Sequence, residues 1–324
     1  MSKLTKFVLQ RFLSLIPILF AVSLFSFLLM RLVPGDTAVA LLGPRATPEA
    51  LQMLREHLGL NLPIHLQYLR WLNLYLHGDL GTCIMYGCPV SQVLVERLFN
   101  SAILTIASLA MAVVIGGGVA MIAGAKRFSV FDRVSTLTAL FLISAPTFWL
   151  GLMLMYIFSL KLRWLPAQGM YSVGRAGGGI ADLLRHLVLP AIAAGVNSLA
   201  TIFRLTRSQT YGVMGQGFIV ASRSRGLSER SILFRHALRN MLPAVVNVSA
   251  MQIGYIFSGA LFAEVVFNWP GVGLLVYNSI LARDYAVIQA VLLIVGSVFV
   301  FANMLADFIH AIVDPRTIRG RYGS

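Results

Sequence analysis

Residues 12 to 30 run for nineteen positions without a charge, and at the helical rise they reach roughly 29 Å, about the thickness of a bilayer's hydrocarbon core. Inside lipid every backbone N–H and C=O must find a partner within the protein, so such a stretch has to be a helix. Five more uncharged, mostly apolar stretches follow at 102–125, 134–160, 187–203, 242–262 and 286–306. With 58% hydrophobic and only 12% charged residues, the chain is far too apolar for an ordinary soluble domain. No short hydrophobic core with a small-residue cleavage site precedes the first stretch, which therefore reads as a retained helix. The expected fold class is an all-α polytopic membrane protein of six transmembrane helices.

The net charge of +14 does not point to nucleic acid, because the basic residues lie between apolar stretches with no aromatic-interleaved patch to organise them. In a membrane protein such an excess reports topology. With the N-terminus inside, cytoplasmic segments carry Lys3, Lys6 and Arg11, then Lys126, Arg127 and Arg133, then seven arginines from Arg204 to Arg239, then Arg316, Arg319 and Arg321. Of the remaining basic residues, Arg45, Arg55, Arg70 and Arg97 fall in one long loop, which can translocate regardless of charge. This distribution puts both termini in the cytoplasm. The expected divisions are 1–31 for the N-terminus and first span, 32–100 for an external loop, 101–313 for spans two to six, and 314–324 for a cytoplasmic tail.

Loop 32–100 mixes turn signals ("VPGD", "GPRATPE") with helical apolar spacing at Leu51, Leu54 and Leu58, and reads as a small folded external cap. Both cysteines, Cys83 and Cys88, lie in it. An oxidising periplasm would favour a disulfide between them. Two free thiols are the alternative. A metal site with His77 is a weak third, since three ligands at no recognised spacing do not make a zinc motif. The expectation is no metal.

The four lysines follow Ser2, Thr5, Ala125 and Leu160, so none completes the glycine-lysine pair of a phosphate-cradling loop. The chain is expected to hydrolyse no nucleotide by that route and to carry no cofactor. The glycine run at 174–179 reads as a flexible connection. No H-E-x-x-H or G-x-S-x-G occurs, which disfavours a membrane enzyme. Asn303 and Asp307 share a helix face near the end of the last span; a proton relay would want such a pair, but the interfacial position favours a structural role. Asn197, Asn247 and Gln252 are expected to bond across helices. Pro146 and Pro190 are expected to kink their spans, and Gly116 to Gly118, Ala120 and Gly124 to allow close helix approach.

Between the fourth and fifth spans, 204–241, lies "FIVASRSRGLSERSILFRHALRNMLP", Phe218 to Pro243, with five arginines and one glutamate. It reads as two short helices, 215–225 and 229–240, broken at Gly226-Leu227, with Ser228 capping the second. Arg235 and Arg239 share one face, while Ile232, Leu233 and Ala237 offer an apolar side. Periodicity alone fits a helix pair on anionic lipid as well as a docking surface.

A resemblance separates the two. The segment resembles the coupling loop, or EAA loop, of ABC importer permeases, and more narrowly of the dipeptide, oligopeptide and nickel family. The likeness extends over nearly the whole chain, through "LVPGD" at 32–36, "LGLNLPIHLQY" at 58–68, "HGDLGT" at 77–82, "SAPTFWLG" at 144–151, "RLTRS" at 204–208, "ASRSRGLSE" at 221–229, "HALRNMLP" at 236–243, "FNWPGVG" at 267–273, "RDYAVIQ" at 283–289 and "DPR" at 314–316. The loop's namesake acidic residue is missing around Gln216 to Ile219. The resemblance implies a non-catalytic permease subunit of the bacterial inner membrane. Its ATPase-coupling residues would be Ala221, Arg223, Arg225, Gly226, Leu227, Ser228, Arg235, His236 and Arg239. Its partners would be a second homologous permease, two ATPase subunits that bind ATP and magnesium, an external substrate-binding protein and membrane lipid, with no nucleic acid. Peptides are the implied cargo, with nickel complexes, glutathione or haem as alternatives. A secondary transporter would instead need inverted repeats and ionisable residues at the midplane, and neither is clear in the sequence.

Overall fold

The computed structural model describes residues 3–32, 47–172, 174 and 178–313. The strings at 32–36 (beyond Leu32) and 314–316, the arginines at 316, 319 and 321, and three of the residues in the glycine run, 175–177, lie outside them, as do the side chains of Lys3, Lys6, Leu54 and Leu58. The helices are α1 (Lys3–Leu32), α2 (Pro48–Leu58), α3 (Ile64–Leu76), α4 (Val90–Ala125), α5 (Val130–Ser144), α6 (Thr147–Lys161), α7 (Ile180–Met214), α8 (Gly217–Ser224), α9 (Glu229–Val266), α10 (Val272–Ala282) and α11 (Tyr285–Val313). Two-residue strands β1 (Thr82–Cys83) and β2 (Cys88–Pro89) form an antiparallel hairpin. Among the described residues five helices are long and apolar enough to cross a bilayer, or six if α5 and α6 form one bent span. Three contain a π-helical turn: Ala112–Gly117 in α4, Met155–Lys161 in α6 and Ile232–Ala237 in α9.

The chain divides into two compact units. In the first, Met1–Phe7, Asn100–Pro270 and Phe301–Ser324, the hub is α7, against which α4, α5, α6 and α9 all pack. Glycine sets these approaches. A Cβ on Gly116 would lie 2.8 Å from the Leu199 carbonyl oxygen, and one on Gly124 would lie 2.7 Å from Thr210 Cβ. Gly117 and Gly118, expected to act likewise, face nothing within 4 Å. The Ala120 side chain is fully buried beside Ala200 and Phe203. At one end of this unit Trp269 is buried, its indole N–H donating to the Asn100 carbonyl at 3.0 Å, while Asn100 donates to the Pro270 carbonyl at 2.9 Å. Ser101 donates to the buried Glu264 carboxylate at 2.6 Å.

The expected span 134–160 is not one helix. It breaks at Ala145-Pro146, both extended, and the axes of α5 and α6 differ by 111°. Proline has no N–H for the Leu142 carbonyl and biases its predecessor out of the helical region, so the break follows from the sequence. Pro190, by contrast, sits inside unbroken α7. Contacts of the two halves step one way along α7: Asp132 meets Arg207, Ala139 clusters with Ala200 and Phe203, Thr147 meets Asn197, and Gly151 faces Ala193. The two helices thus follow α7 in one direction across the break.

In the second unit, Val8–Phe99 and Gly271–Val300, the described residues 47–99 pack together with α1 and with residues 271–300. Thr47 caps α2, its hydroxyl accepting from the Ala50 N–H at 3.3 Å, and Gly59 at φ 68° ends it. Tyr68 of α3 bonds Ser23 of α1 at 2.7 Å, and its ring meets Phe20 and Phe27 edge-on. Cys83, Val90, Leu94, Val272, Leu275, Val287, Ala290 and Val291 form a shared core.

The expected disulfide is absent. Cys83 and Cys88 stand opposite each other in the hairpin, yet both thiols are free. The Cys83 thiol donates instead to Asp284 Oδ2 at 3.1 Å, the same oxygen that accepts the Ile84 N–H at 2.7 Å and the Met85 N–H at 3.3 Å. Asp284, fully buried, also caps α11 through the Val287 N–H. Burial, followed by the bond to Asp284, pushes the Cys83 thiol above its ordinary range.

Candidate functional site: the loop between α7 and α9

Helix α8 stops in a manner that its sequence dictates. Gly226 has φ 77°, the Gly226 N–H donates to the Arg223 carbonyl at 2.9 Å, and the Leu227 N–H to the Ser222 carbonyl at 3.3 Å. This is a Schellman stop with glycine in the left-handed position. Ser228 then caps α9 at once, its hydroxyl accepting from the Ser231 N–H at 3.3 Å. Arg223 reaches across the turn to Glu229 with bonds of 2.7 and 3.1 Å. The two side chains are 45% and 65% exposed, so the pair orders the turn and adds little stability. The Glu229 carboxylate raises the Arg223 guanidinium further above its ordinary value.

The second helix does not end near 240 as expected. It runs from Glu229 through Pro243 to Val266, because neither a cap nor a glycine interrupts it before Gly254. The basic segment and the following span are one rod with a π-helical turn in it.

Apolar side chains hold the turn against the first unit. Ile219 and Ile232 are fully buried with Met121 of α4, Val213 and Met214 of α7, and Leu233, Ala237 and Met241 of α9. At roughly 1.5–3 kcal/mol for each fully buried isoleucine, this anchoring outweighs the exposed ion pair. Nearby, Arg207 makes a two-pronged bond with Asp132, whose second arm is 2.8 Å; Asp132 also accepts the Phe128 N–H at 3.0 Å. The Arg127 guanidinium stacks over Tyr211 at 3.8 Å and over Phe128 at 4.1 Å. The sequence reading missed both Asp132 and Arg207 as partners. An acid at the third position of a serine-capped helix was the available signal.

Of the sequence-selected residues, Ala221, Arg223, Arg225, Gly226, Leu227 and Ser228 form one continuous exposed turn. Arg235 and Arg239 are exposed on α9, and His236 is half-buried. Phe218, Val220 and Phe234 add exposed apolar surface. A Cβ on Gly226 would meet nothing within 4 Å in this chain. The surface is basic with apolar edges, anchored from behind and open in front. It has the chemistry to receive an acidic, partly apolar partner, and it contains no convergent nucleophile and base. Asn197 and Gln252 bond across helices, to Thr147 at 3.3 Å and Ser198 at 2.8 Å. Asn303 and Asp307 lie one turn apart on α11. No cluster of three metal-binding side chains occurs among the described residues; His77 bonds the Asn73 carbonyl at 2.8 Å.

In the second unit a cavity of about 530 Å³ is lined by Arg70, Trp71, Tyr75, Asp79 and Tyr285 among others. Burial pushes the Tyr75 phenol up to about 12.

Residues 116–319 match the family model for the binding-protein-dependent transport system inner membrane component, and residues 4–106 match its N-terminal companion. The chain is similar to a probable peptide ABC transporter permease protein, y4tP, of Sinorhizobium fredii, at 34% identity over 96% of this chain and 98% of that one. It is 36% identical to the glutathione transport system permease protein GsiC of Salmonella paratyphi A, over 95% and 97% of the two chains. Its fold matches the inward-facing methionine ABC transporter MetNI with a TM-score of 0.56 at 17% identity, over 69% of this chain and 97% of the other. Nearly full-length likeness to transport permeases, and a family model covering more than half of the chain, place this protein in the binding-protein-dependent transport inner-membrane component family.

Proposed function

We propose that the chain is the permease subunit of an ATP-driven importer for peptides, with the turn at Gly226 as its joint to an ATPase. Two ATPase subunits would bind ATP and magnesium, a second homologous permease would complete the pathway, and an external binding protein would deliver cargo. Both termini would lie in the cytoplasm, and residues 32–100 would face outside as the docking surface. The observation that carries the reading is an exposed, left-handed glycine turn flanked by Arg223, Arg225, Arg235 and Arg239 and anchored through Ile219 and Ile232. Closure of the ATPases would push this turn, and α9 would pass the push into the spans. Glutathione is a second cargo of the same class, favoured by the likeness to the glutathione permease.

The test is replacement of Gly226. Valine is strained at φ 77° by roughly 1–2 kcal/mol and blocks close approach, so Gly226→Val should abolish peptide import while membrane yield stays normal. Asparagine tolerates the left-handed turn. Gly226→Asn should therefore retain the turn and fail only if the partner needs the space a side chain would occupy. Import at the wild-type rate by Gly226→Val, with normal ATPase copurification, rules out the assignment. If lipid were the partner instead, arginine removal would matter through charge alone.

A further inference from the structure

Helix α7 is the most buried of the candidate spans, with 72% of its apolar window inside the protein. Yet one stripe of it is polar and accessible. Asn197, Thr201, Arg204 and Ser208, at intervals of four, three and four, lie on a single face; Asn197, Arg204 and Ser208 are exposed and Thr201 is half-buried. On the other side of Asn197, toward the start of the helix, Pro190, Ala193 and Ala194 are buried. The stripe thus begins at the centre of α7, Ile180–Met214, and runs only toward the end that carries the Gly226 turn.

The broken span meets α7 at that same level. Asn197 donates to the Thr147 hydroxyl at 3.3 Å, directly after the extended residues Ala145 and Pro146, and Ser144 beside them is exposed. Non-helical backbone at the middle of a membrane is not left against lipid; it is covered by protein or lines a water-filled cavity. The polar groups at this level are neutral: the Asn197 amide and the Thr147, Ser144 and Thr201 hydroxyls, of which Ser144 and Thr201 donate to the Leu140 and Asn197 carbonyls and are left to accept; Phe148 and Trp149 are exposed beside them, and Arg204, the charge on the stripe, lies about two turns further along α7.

We propose that this stripe lines the translocation pathway as a half-channel open toward the Gly226 end, and that Asn197, Thr147 and the break at Ala145-Pro146 form its terminal station for main-chain amide groups of the cargo. Neutral donors and acceptors suit the part that all peptides share and leave side chains unread. A charged site would hold one end of a peptide and slow its release. The amide assignment rests on the peptide reading; the half-channel does not.

The experiment uses the complete complex with its partner subunits in proteoliposomes, in a Cys83→Ser, Cys88→Ser background. Single variants Asn197→Cys, Thr201→Cys and Ser208→Cys should react with a charged methanethiosulfonate, while Val114→Cys, exposed on an apolar face of α4, stays inert. A transported tripeptide should slow labelling at position 197. Import by Asn197→Leu with Thr147→Val should fall about tenfold, with ATPase copurification intact and with substantial recovery in Asn197→Gln. Inertness of position 197, or undiminished import by the double variant, overturns the proposal. If the wild-type complex imports no peptide, the proposed function fails, and the labelling pattern alone decides the half-channel.

Discussion

Gly226, Asp284 and Cys83 show three degrees of visibility at the scale of the residue. Gly226 stood out because a glycine between two amphipathic helical runs has few other reasons to be there, and its φ of 77° is the conformation expected of it. Asp284 belonged to a recognisable string, but its role as a clamp on a hairpin some two hundred residues away could not be read from spacing. Cys83 was misread for the same reason: the pull of Asp284 on its thiol is a tertiary fact. The clamp has a measurable pH signature. The raised thiol stabilises the hairpin contact below the ordinary thiol range, about 8.5, and that contribution is lost as pH rises through the higher value of the folded state. Maleimide should therefore modify Cys88 well before Cys83 at pH 7, and the gap should narrow in alkali; mass spectrometry of partly labelled protein would check this, and equal rates at pH 7 would contradict it.

Among the elements, the apolar runs located five spans, since uncharged stretches of this length leave little choice. Their ends were poorly legible. Helix α9 begins thirteen residues before the expected span start at 242, because a basic, amphipathic first section joins it without a stop. The break at Pro146 was foreseen only as a kink; how sharply a helix turns at proline depends on what packs around it. The tie between α5 and α7 was not foreseen at all. Asp132 is 2% exposed and Arg207 33%, so removing the arginine leaves a buried carboxylate uncompensated. Arg207→Leu should destabilise the detergent-solubilised complex by roughly 2–3 kcal/mol, below the full 3–5 kcal/mol for a wholly buried pair. The paired change Asp132→Asn, Arg207→Leu should recover part of the loss. Thermal unfolding of the three proteins gives the comparison.

For the whole molecule, the family was legible in the ordered strings, and the division into two compact units was not. Residues 32–100 looked like a cap of their own because apolar spacing there is helical and local. The partners of the described residues 47–99, in α1 and 271–300, lie elsewhere in the sequence. The proposed orientation has a direct test. Cys88 is half-buried and Cys83 only 1% exposed, so a membrane-impermeant thiol reagent applied to intact cells should label Cys88 alone. Labelling only after permeabilisation would invert the topology.

The π-helical turn at Ile232–Ala237 sits between the Gly226 turn and the rest of α9. An extra residue in a regular helix rotates everything beyond it by about 100°, but a π-helical turn is wider and takes that residue up within itself, so the faces before and after stay nearly in phase. Deleting Phe234, which is 58% exposed, should close the turn into plain α-helix with little rotation and leave import largely intact. One alanine added to the regular helix two turns further along, where nothing absorbs it, should rotate the two sections by about 100° relative to each other and abolish import while membrane yield stays normal. Import lost on the deletion and kept on the insertion would show that rotational phase does not carry the coupling.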